Sequence, residues 1–266
     1  MSEKKVIEQS TKPNTINSLT RDLQKLGIRR GDNLLVHVSM KALGWTVGGP
    51  QAVLQSLMDA VTTEGTLIIQ THSPTLSDPS EWKNPPVPKE WHDTIRQTMP
   101  AFDRDKTPST HLGVLPELFR KFPEVYRSYH PTFSISAWGK HAGEVTKDHQ
   151  LEYSLGENSP LQKAYDLDAK ILLIGVGYDT NTSFHLSEYK ADVRKEYVRG
   201  APIQKDGREI WMTYKDIEFN EDAFETIGRD FEADHSVIFG KVGLAESRLF
   251  SMRESVDFAA KWLNKE

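Results

Sequence analysis

The sequence predicts an α/β fold with a parallel sheet at its centre, and three stretches carry that prediction. Residues 32–38 (DNLLVHV) and 66–70 (TLIIQ) are apolar runs of strand length, and between them Val53, Leu54, Leu57, Met58 and Val61 recur at helical spacing. Strand, helix and strand within about 35 residues is the signature of a parallel crossover. Residues 171–176 form a third apolar run, interrupted by Gly175 and followed by Gly177, which reads as another buried strand. A chain of 266 residues is long enough to bury a sizeable core. No composition shift marks a linker, so residues 14–266 are expected to form a single domain behind a flexible N-terminus, residues 1–13.

Asn14 or Thr15 is placed to cap a first helix, which shows Ile16, Leu19, Leu23 and Leu26 on one face and stops at Gly27. The first strand runs into a glycine-rich connection, residues 39–50 (SMKALGWTVGGP), whose Pro50 suits the first position of a helix. Residues 71–110 carry seven prolines with Trp82 and Trp91 between them, too many for regular structure. A connection of that length reads as a substrate-side lid with short helical pieces near 89–98, or as an excursion packed on the sheet. Residues 112–122 are helical, with Pro116 near the start; residues 133–138 alternate as a strand, and residues 161–165 form a short helix. The C-terminal third has antiparallel character. Asp206-Gly207 is a hairpin turn between two strand-like runs. Residues 221–234 are an amphipathic acidic helix, and residues 242–250 read as strand, bend, strand. Ser251 and Glu254 form a capping box for a last helix that buries Val256, Ala259, Ala260 and Leu263.

Hydrophobic residues make up 37% and charged residues 27%, which suits a soluble globular protein. No apolar run approaches the ~20 residues of a membrane span, and the N-terminus MSEKKVIEQSTKP has no signal-peptide core. The absence of cysteine excludes disulfides, thiolate metal sites and a cysteine nucleophile, and fits a cytoplasmic protein. A net charge of -5 argues against a nucleic-acid partner and is compatible with a cationic ligand.

Chemistry concentrates where open sheets place ligands, beyond the carboxyl ends of the strands. There His185 opens a helix with Glu188 three residues on, a pattern that suits a general base or a capping and packing residue. The Gly44, Gly48 and Gly49 turn before a helix suits phosphate, although neither G-x-x-x-x-G-K-[ST] nor G-x-G-x-x-G is present and a steric turn reads equally well. His37 and Ser39 end the first strand, but no G-x-S-x-G elbow supports a serine nucleophile. His37, His72, His111, Glu152 and His185 lack metal-ligand spacing, so no metal is expected. Asp78, Glu81, Asp93, Asp103 and Asp105 lie in the proline-rich connection and would attract a polyamine, or are solvated loop charges.

Residues 34–73, 77–91, 128–142, 154–191 and 199–203 together resemble the aminoglycoside 3-N-acetyltransferase family, with several motifs in the family's order. The resemblance implies an α/β/α sandwich, with a largely parallel central sheet and antiparallel C-terminal strands, distinct from the GNAT acetyltransferase fold. It implies direct transfer of acetyl from acetyl-coenzyme A to the 3-amino group of a 2-deoxystreptamine ring. The segment N-T-x-x-H-x-x-E at residues 181–188 makes His185 the expected base, with Glu188 or Glu157 orienting it. Coenzyme contacts are expected from His37, Ser39, Met40, Lys41, Leu43, Gly44, Trp45, Val47, Gly48 and Gly49, and from Thr71, Ser73, Ser109 and Thr110. Backbone N–H groups near residues 71–73 are expected to meet the thioester oxyanion. Asp78, Glu81 and Trp91 are the candidate acceptor contacts. Lys41, near the coenzyme turn, and His111, after the Thr-Pro-Ser stretch at 107–109, depart from the family's usual residues. The acceptor is an aminoglycoside or another small amine, an oligomer is possible, and a coenzyme-binding protein without turnover or a metal-dependent hydrolase are the other classes weighed.

Overall fold

The computed structural model describes residues 3–192 and 195–265. Three parallel strands form the centre. β1 (Asn33–Val38) pairs in parallel with β2 (Thr66–Gln70) on one side and β5 (Lys170–Ile174) on the other, with Leu34 opposite Leu67 and Val36 opposite Leu172. Their residues are buried on both faces, which is why these strands read as continuous apolar runs rather than alternating ones. Leu34, Val36, Leu67, Ile69, Leu172 and Ile174 pack on one layer of helices, α2 (Ile16–Lys25), α3 (Gly49–Val61) and α5 (Val114–Phe119). Leu35, Ile68, Ile171 and Leu173 pack on the opposite layer, α6 (Ala142–Thr146), α7 (Pro160–Asp166), α8 (Ser183–Lys190), α9 (Phe224–Asp234) and α10 (Met252–Leu263). This is the α/β/α sandwich expected.

Antiparallel strands flank the parallel centre. β4 (Ile135–Gly139) pairs with β2, and β3 (Tyr126–Arg127) with β4. On the other side β9 (Ala245–Ser251) pairs with β5, and β8 (Ile238–Val242) with β9. The sheet order is β3-β4-β2-β1-β5-β9-β8. Antiparallel pairing, expected at the C-terminal end, therefore occupies both edges, because β4 returns beside β2 after the long connection. A separate hairpin, β6 (Glu196–Lys205) and β7 (Arg208–Ile217), turns at Asp206 and Gly207, both with positive φ. Gly175 ends β5 at φ +65°, and a Cβ there would lie 2.3 Å from the Ala42 Cβ, so glycine lets the strand end lie against the 39–44 turn. Residues 3–9, expected to be loose, form α1 (Glu3–Gln9). Ser10 Oγ accepts the Trp45 amide at 2.8 Å, and Glu3 Oε1 accepts the Trp45 indole N–H at 3.4 Å. No helix among the described residues is long and apolar enough to cross a membrane.

The 71–110 connection carries only short helical pieces, including α4 (His92–Thr98), and is anchored by a buried cation. The Arg127 guanidinium donates to the carbonyls of Thr71, Arg104 and Thr107 and to the hydroxyls of Ser73 and Ser134, at 2.6–3.1 Å. It also lies 4.9 Å from the Phe102 ring centre. Burial, with the nearby Arg120 charge, lowers its pKa to about 9, which keeps it protonated at neutral pH. Replacing Arg127 by Met would leave those acceptors unpaired inside the protein. The expected cost is about 3 kcal/mol, read as a lower urea midpoint with an unchanged slope; a midpoint equal to the parent's would contradict the anchoring role.

Candidate active site

The carboxyl ends of β1, β2 and β5 open toward the start of α8. Asn181 fixes that start: its Oδ1 accepts the Ser183 amide at 3.3 Å and the Ser183 hydroxyl at 2.7 Å. Thr182 donates its hydroxyl to the Gln70 side chain, tying the helix to the end of β2. His185 follows, 6% exposed, with its ring 4.2 Å from Phe219 and 4.9 Å from Phe224 between centres. Its Nδ1 lies 2.7 Å from Glu188 Oε2, an i, i+3 pair on one helical face. Glu188 is 6% exposed, and its Oε1 accepts the Asn220 amide at 2.5 Å. The other imidazole nitrogen, Nε2, lies 3.4 Å from Glu221 Oε1. Burial works against the imidazolium, but hydrogen bonds and charge from Glu188 and Glu221 outweigh it, and the His185 pKa is raised. The hydrogen bond from His185 lowers the Glu221 pKa in return.

Beside His185 opens a cleft of about 580 Å³ lined by Glu81, Lys83, Tyr197, Arg199, Glu218, Phe219, Asn220, Glu221 and Asp222. Four of those lining residues are acidic and two basic. Arg199 is itself neutralised, 3.0 Å from Glu81 Oε2 and 3.1 Å from Asp216 Oδ2, and its guanidinium sits against the rings of Tyr197, Phe133 and Phe219. Asp216, fully buried, also accepts from Ser154 and Tyr189. The cleft can hold a cationic group next to Nε2.

A second cavity, about 320 Å³, lies at the ends of β1 and β2. His37, Ser39, Gln70, His111, Val176 and Thr180 line it, with no carboxylate among its walls. The His37 Nε2, Ser109 Oγ and Thr110 Oγ1 atoms are buried without a protein hydrogen-bond partner. Burial lowers the His37 pKa to about 4, so its imidazole is neutral. Neutral polar groups in a narrow cavity suit an uncharged, amide-bearing arm.

Glu81 lines the cleft, His37 and Ser39 line the second cavity, and His185 and Glu188 pair behind Glu221 and Asn220 of the cleft wall. Glu157 does not reach His185: it is exposed and lines a different cavity with Glu152, Tyr153 and Lys190. Asp78 is not free for a ligand either. Although burial opposes it, hydrogen bonds from Arg96 and Ser80 hold its carboxyl down at about 2, and it fixes the loop. Trp91 is 56% exposed and absent from the cleft wall. Thr71 and Ser73 are fully buried, and their amides donate to Ser134 and Thr132, continuing the β2–β4 pairing. Those two amides therefore cannot meet an oxyanion. The glycine turn is likewise self-bonded: the amides of Leu43, Trp45, Val47 and Gly49 donate to Ser39, Ser10, Asn14 and Thr46. Leu43 is fully buried in the core, which removes it as a coenzyme contact. Met40, Lys41, Gly44, Trp45 and Gly49 instead line a groove beneath α1, and Val47 and Gly48 are exposed at its edge. Among the described residues no group of His, Asp and Glu is gathered to hold a metal ion. Tyr197, Arg199, Glu218 and Glu221 escaped the sequence reading; the acidic residues of 218–222 were a signal for Glu218 and Glu221 only.

The family model for aminoglycoside 3-N-acetyltransferases matches residues 35–264. The SPbeta prophage-derived aminoglycoside N(3')-acetyltransferase-like protein YokD of Bacillus subtilis (strain 168) is 49% identical over 260 residues, 97% of this chain and 96% of that protein. The YokD crystal structure superposes with a TM-score of 0.97 over 99% of this chain and 98% of its own. The structure of AAC-IIIb binary with CoASH matches at 30% identity and a TM-score of 0.84, over 96% of this chain and 97% of that one. AAC-VIa bound to sisomicin matches at 31% identity and a TM-score of 0.86, over 96% of this chain and 98% of that one. With a family match across most of its length and relatives aligned end to end, the chain belongs to the aminoglycoside 3-N-acetyltransferase family of acyltransferases.

Proposed function

We propose that this protein transfers acetyl from acetyl-coenzyme A directly to the 3-amino group of a 2-deoxystreptamine aminoglycoside, with His185 as general base. The observation that carries the reading is the His185–Glu188 pair, which contacts Glu221 and Asn220 in the wall of an acidic cleft. The family, a relative solved with CoASH and another solved with sisomicin support it. The neutral cavity at the ends of β1 and β2, with His37 and Ser39 in its wall and Ser109 and Thr110 carrying the unpartnered hydroxyls, fits the arm of the coenzyme. Lys41, exposed at the neighbouring turn, fits its phosphates. Acetyl-coenzyme A, when bound, supplies an activated thioester.

The rest is done by the chain's own groups. An amine is mostly ammonium at neutral pH and must lose a proton before it can attack. Glu188 accepts a hydrogen bond from Nδ1–H and so leaves Nε2 as the basic nitrogen. An ammonium entering beside Nε2 takes the place of the imidazole N–H that now faces Glu221. It donates to Glu221 and to Nε2, and the imidazole withdraws its proton. Glu81 and Glu218 add negative charge along the cleft for the remaining amines of a polycation. Phe219 and Phe224 cover the imidazole and limit access of water.

Free-thiol release from acetyl-coenzyme A with a panel of 2-deoxystreptamine aminoglycosides and simple amines tests the reading. The expected product is acetylated at the 3-amino group, and His185→Ala is expected to lower turnover ~10²–10⁴-fold. Near-parental turnover in that variant would refute the assignment, and acetylation of simple amines alone would move the acceptor to another class. The pH profile gives an independent check. The base works unprotonated and its pKa is raised, so kcat/KM is lost as pH falls through a value above the ~6.5 of free imidazole. Glu221→Gln removes one source of that rise, so activity is expected to persist to lower pH while KM for the amine increases. An acid limb that stays in place or moves to higher pH would contradict the Glu221 contact.

A further inference from the structure

We propose that His72 is a further catalytic residue, donating its Nε2–H to the thioester carbonyl oxygen as negative charge develops there. The inference rests on the acetyl-transfer reading above. Such a reaction needs a donor at that oxygen, and the backbone groups first in line are taken: the Thr71 and Ser73 amides donate to Ser134 and Thr132. His72 stands between them, two residues beyond β2, and its Nε2 is buried with no hydrogen-bond partner in the protein. A buried polar atom without a partner is costly unless a ligand group meets it.

Its position joins the two halves of the site. The His72 carbonyl accepts the Thr110 amide at 3.1 Å, and Thr110 Oγ1 is another of the unpartnered buried atoms assigned to the coenzyme arm. On the other side its ring meets Phe133 edge-on at 5.4 Å. Phe133 meets Phe219 at 5.6 Å, and Phe219 meets His185 at 4.2 Å, so a continuous aromatic wall leads from His72 to the base. Burial first, then electrostatic repulsion from the neighbouring cationic side chains, His185 foremost, lower the His72 pKa to about 3. His72 is therefore neutral and remains neutral when His185 takes up its proton. A neutral imidazole can donate a hydrogen bond without competing as an acid.

The step balances without a further reactant. The proton that His185 draws from the ammonium is released to solvent before attack; the amine nitrogen then forms the C–N bond and gives a second proton to His185 Nε2. The C–S bond breaks, and the leaving thiolate takes the proton back from His185. His72 neither gains nor loses a proton; it binds the carbonyl oxygen more strongly when that oxygen is charged, which lowers the barrier rather than the ground state.

Two variants test the proposal, assayed with acetyl-coenzyme A and the amine the parent acetylates fastest. His72→Phe keeps a flat ring against Phe133 and removes the donor; His72→Gln keeps a donor. His72→Phe is expected to lower kcat ~10²-fold, the usual loss for one oxyanion donor, with KM for acetyl-coenzyme A within ~3-fold of the parent. The acid limb of its pH profile should stay in place, because His185 is untouched, and His72→Gln should recover ~10-fold of the loss. His72→Leu gives the same answer if the phenylalanine does not fit. A donor-free variant with kcat within ~3-fold of the parent would overturn the proposal. So would equal losses in the donor-keeping and donor-free variants, or a shifted acid limb, which assigns the loss to His185. A parent that acetylates no amine in the panel refutes the acetyl-transfer reading itself before any variant is measured.

Discussion

Glu188 is held on both oxygens, and the candidate site depends on that carboxylate. One oxygen faces His185 Nδ1 at 2.7 Å and the other accepts the Asn220 amide at 2.5 Å. The first contact sets which imidazole nitrogen keeps its proton. The second ties α8 to the segment that leaves the β6–β7 hairpin, and that segment carries Phe219 and Glu221 to the other sides of the same ring. A buried carboxylate is tolerated only when it is paired. Here the pairing that makes it tolerable also orients the His185 ring, so loss of the carboxylate would release the ring and the cleft wall together.

The surrounding framework makes such precision affordable without long-range adjustment. The three parallel strands end at one level, so His37, Gln70 and the start of α8 converge on one side of the sheet. Arg127 clamps the long connection to β4 through neutral acceptors, and Arg199 lies between Glu81 and Asp216 against three aromatic rings. Arg127 is buried and Arg199 lines the cleft, and the planar donor set of each reaches several chain segments at once, which a lysine could not do. His72, His130 and His149, all with pKa values lowered chiefly by burial, are neutral parts of this framework. Among the described residues, only His185 has carboxylates on both nitrogens, and only its pKa is raised among the buried histidines.

What could be read from the sequence was local. The crossover from β1 to β2, the capping of α2 by Thr15 and of α10 by Ser251, and the Asp206-Gly207 turn each follow from neighbouring residues. His185 and Glu188 were legible for the same reason, being one helical turn apart after an apolar strand. What was illegible depends on partners far along the chain. Arg199 and Glu221 reach the site because β6 and β7 pair over ten residues, a register no short motif reveals. Residues 221–223 have helical periodicity but form a 3₁₀ turn, and α9 begins only at Phe224, which leaves Glu221 facing the cleft. Asp78 read as a ligand carboxylate because nothing in the sequence announces Arg96 as its partner. Thr71 and Ser73 read as open amides because their capture by Ser134 and Thr132 is set by the antiparallel return of β4.

The central claim is that Glu188 holds the Nδ1 proton of His185 and leaves Nε2 as the base. A pH titration of the parent protein by ¹⁵N NMR, with the His185 ring assigned through His185→Gln, measures it directly. The account predicts a pKa above the ~6.5 of free imidazole and, above that pKa, a neutral ring protonated on Nδ1. A neutral ring protonated on Nε2, or a pKa below that of free imidazole, would contradict it.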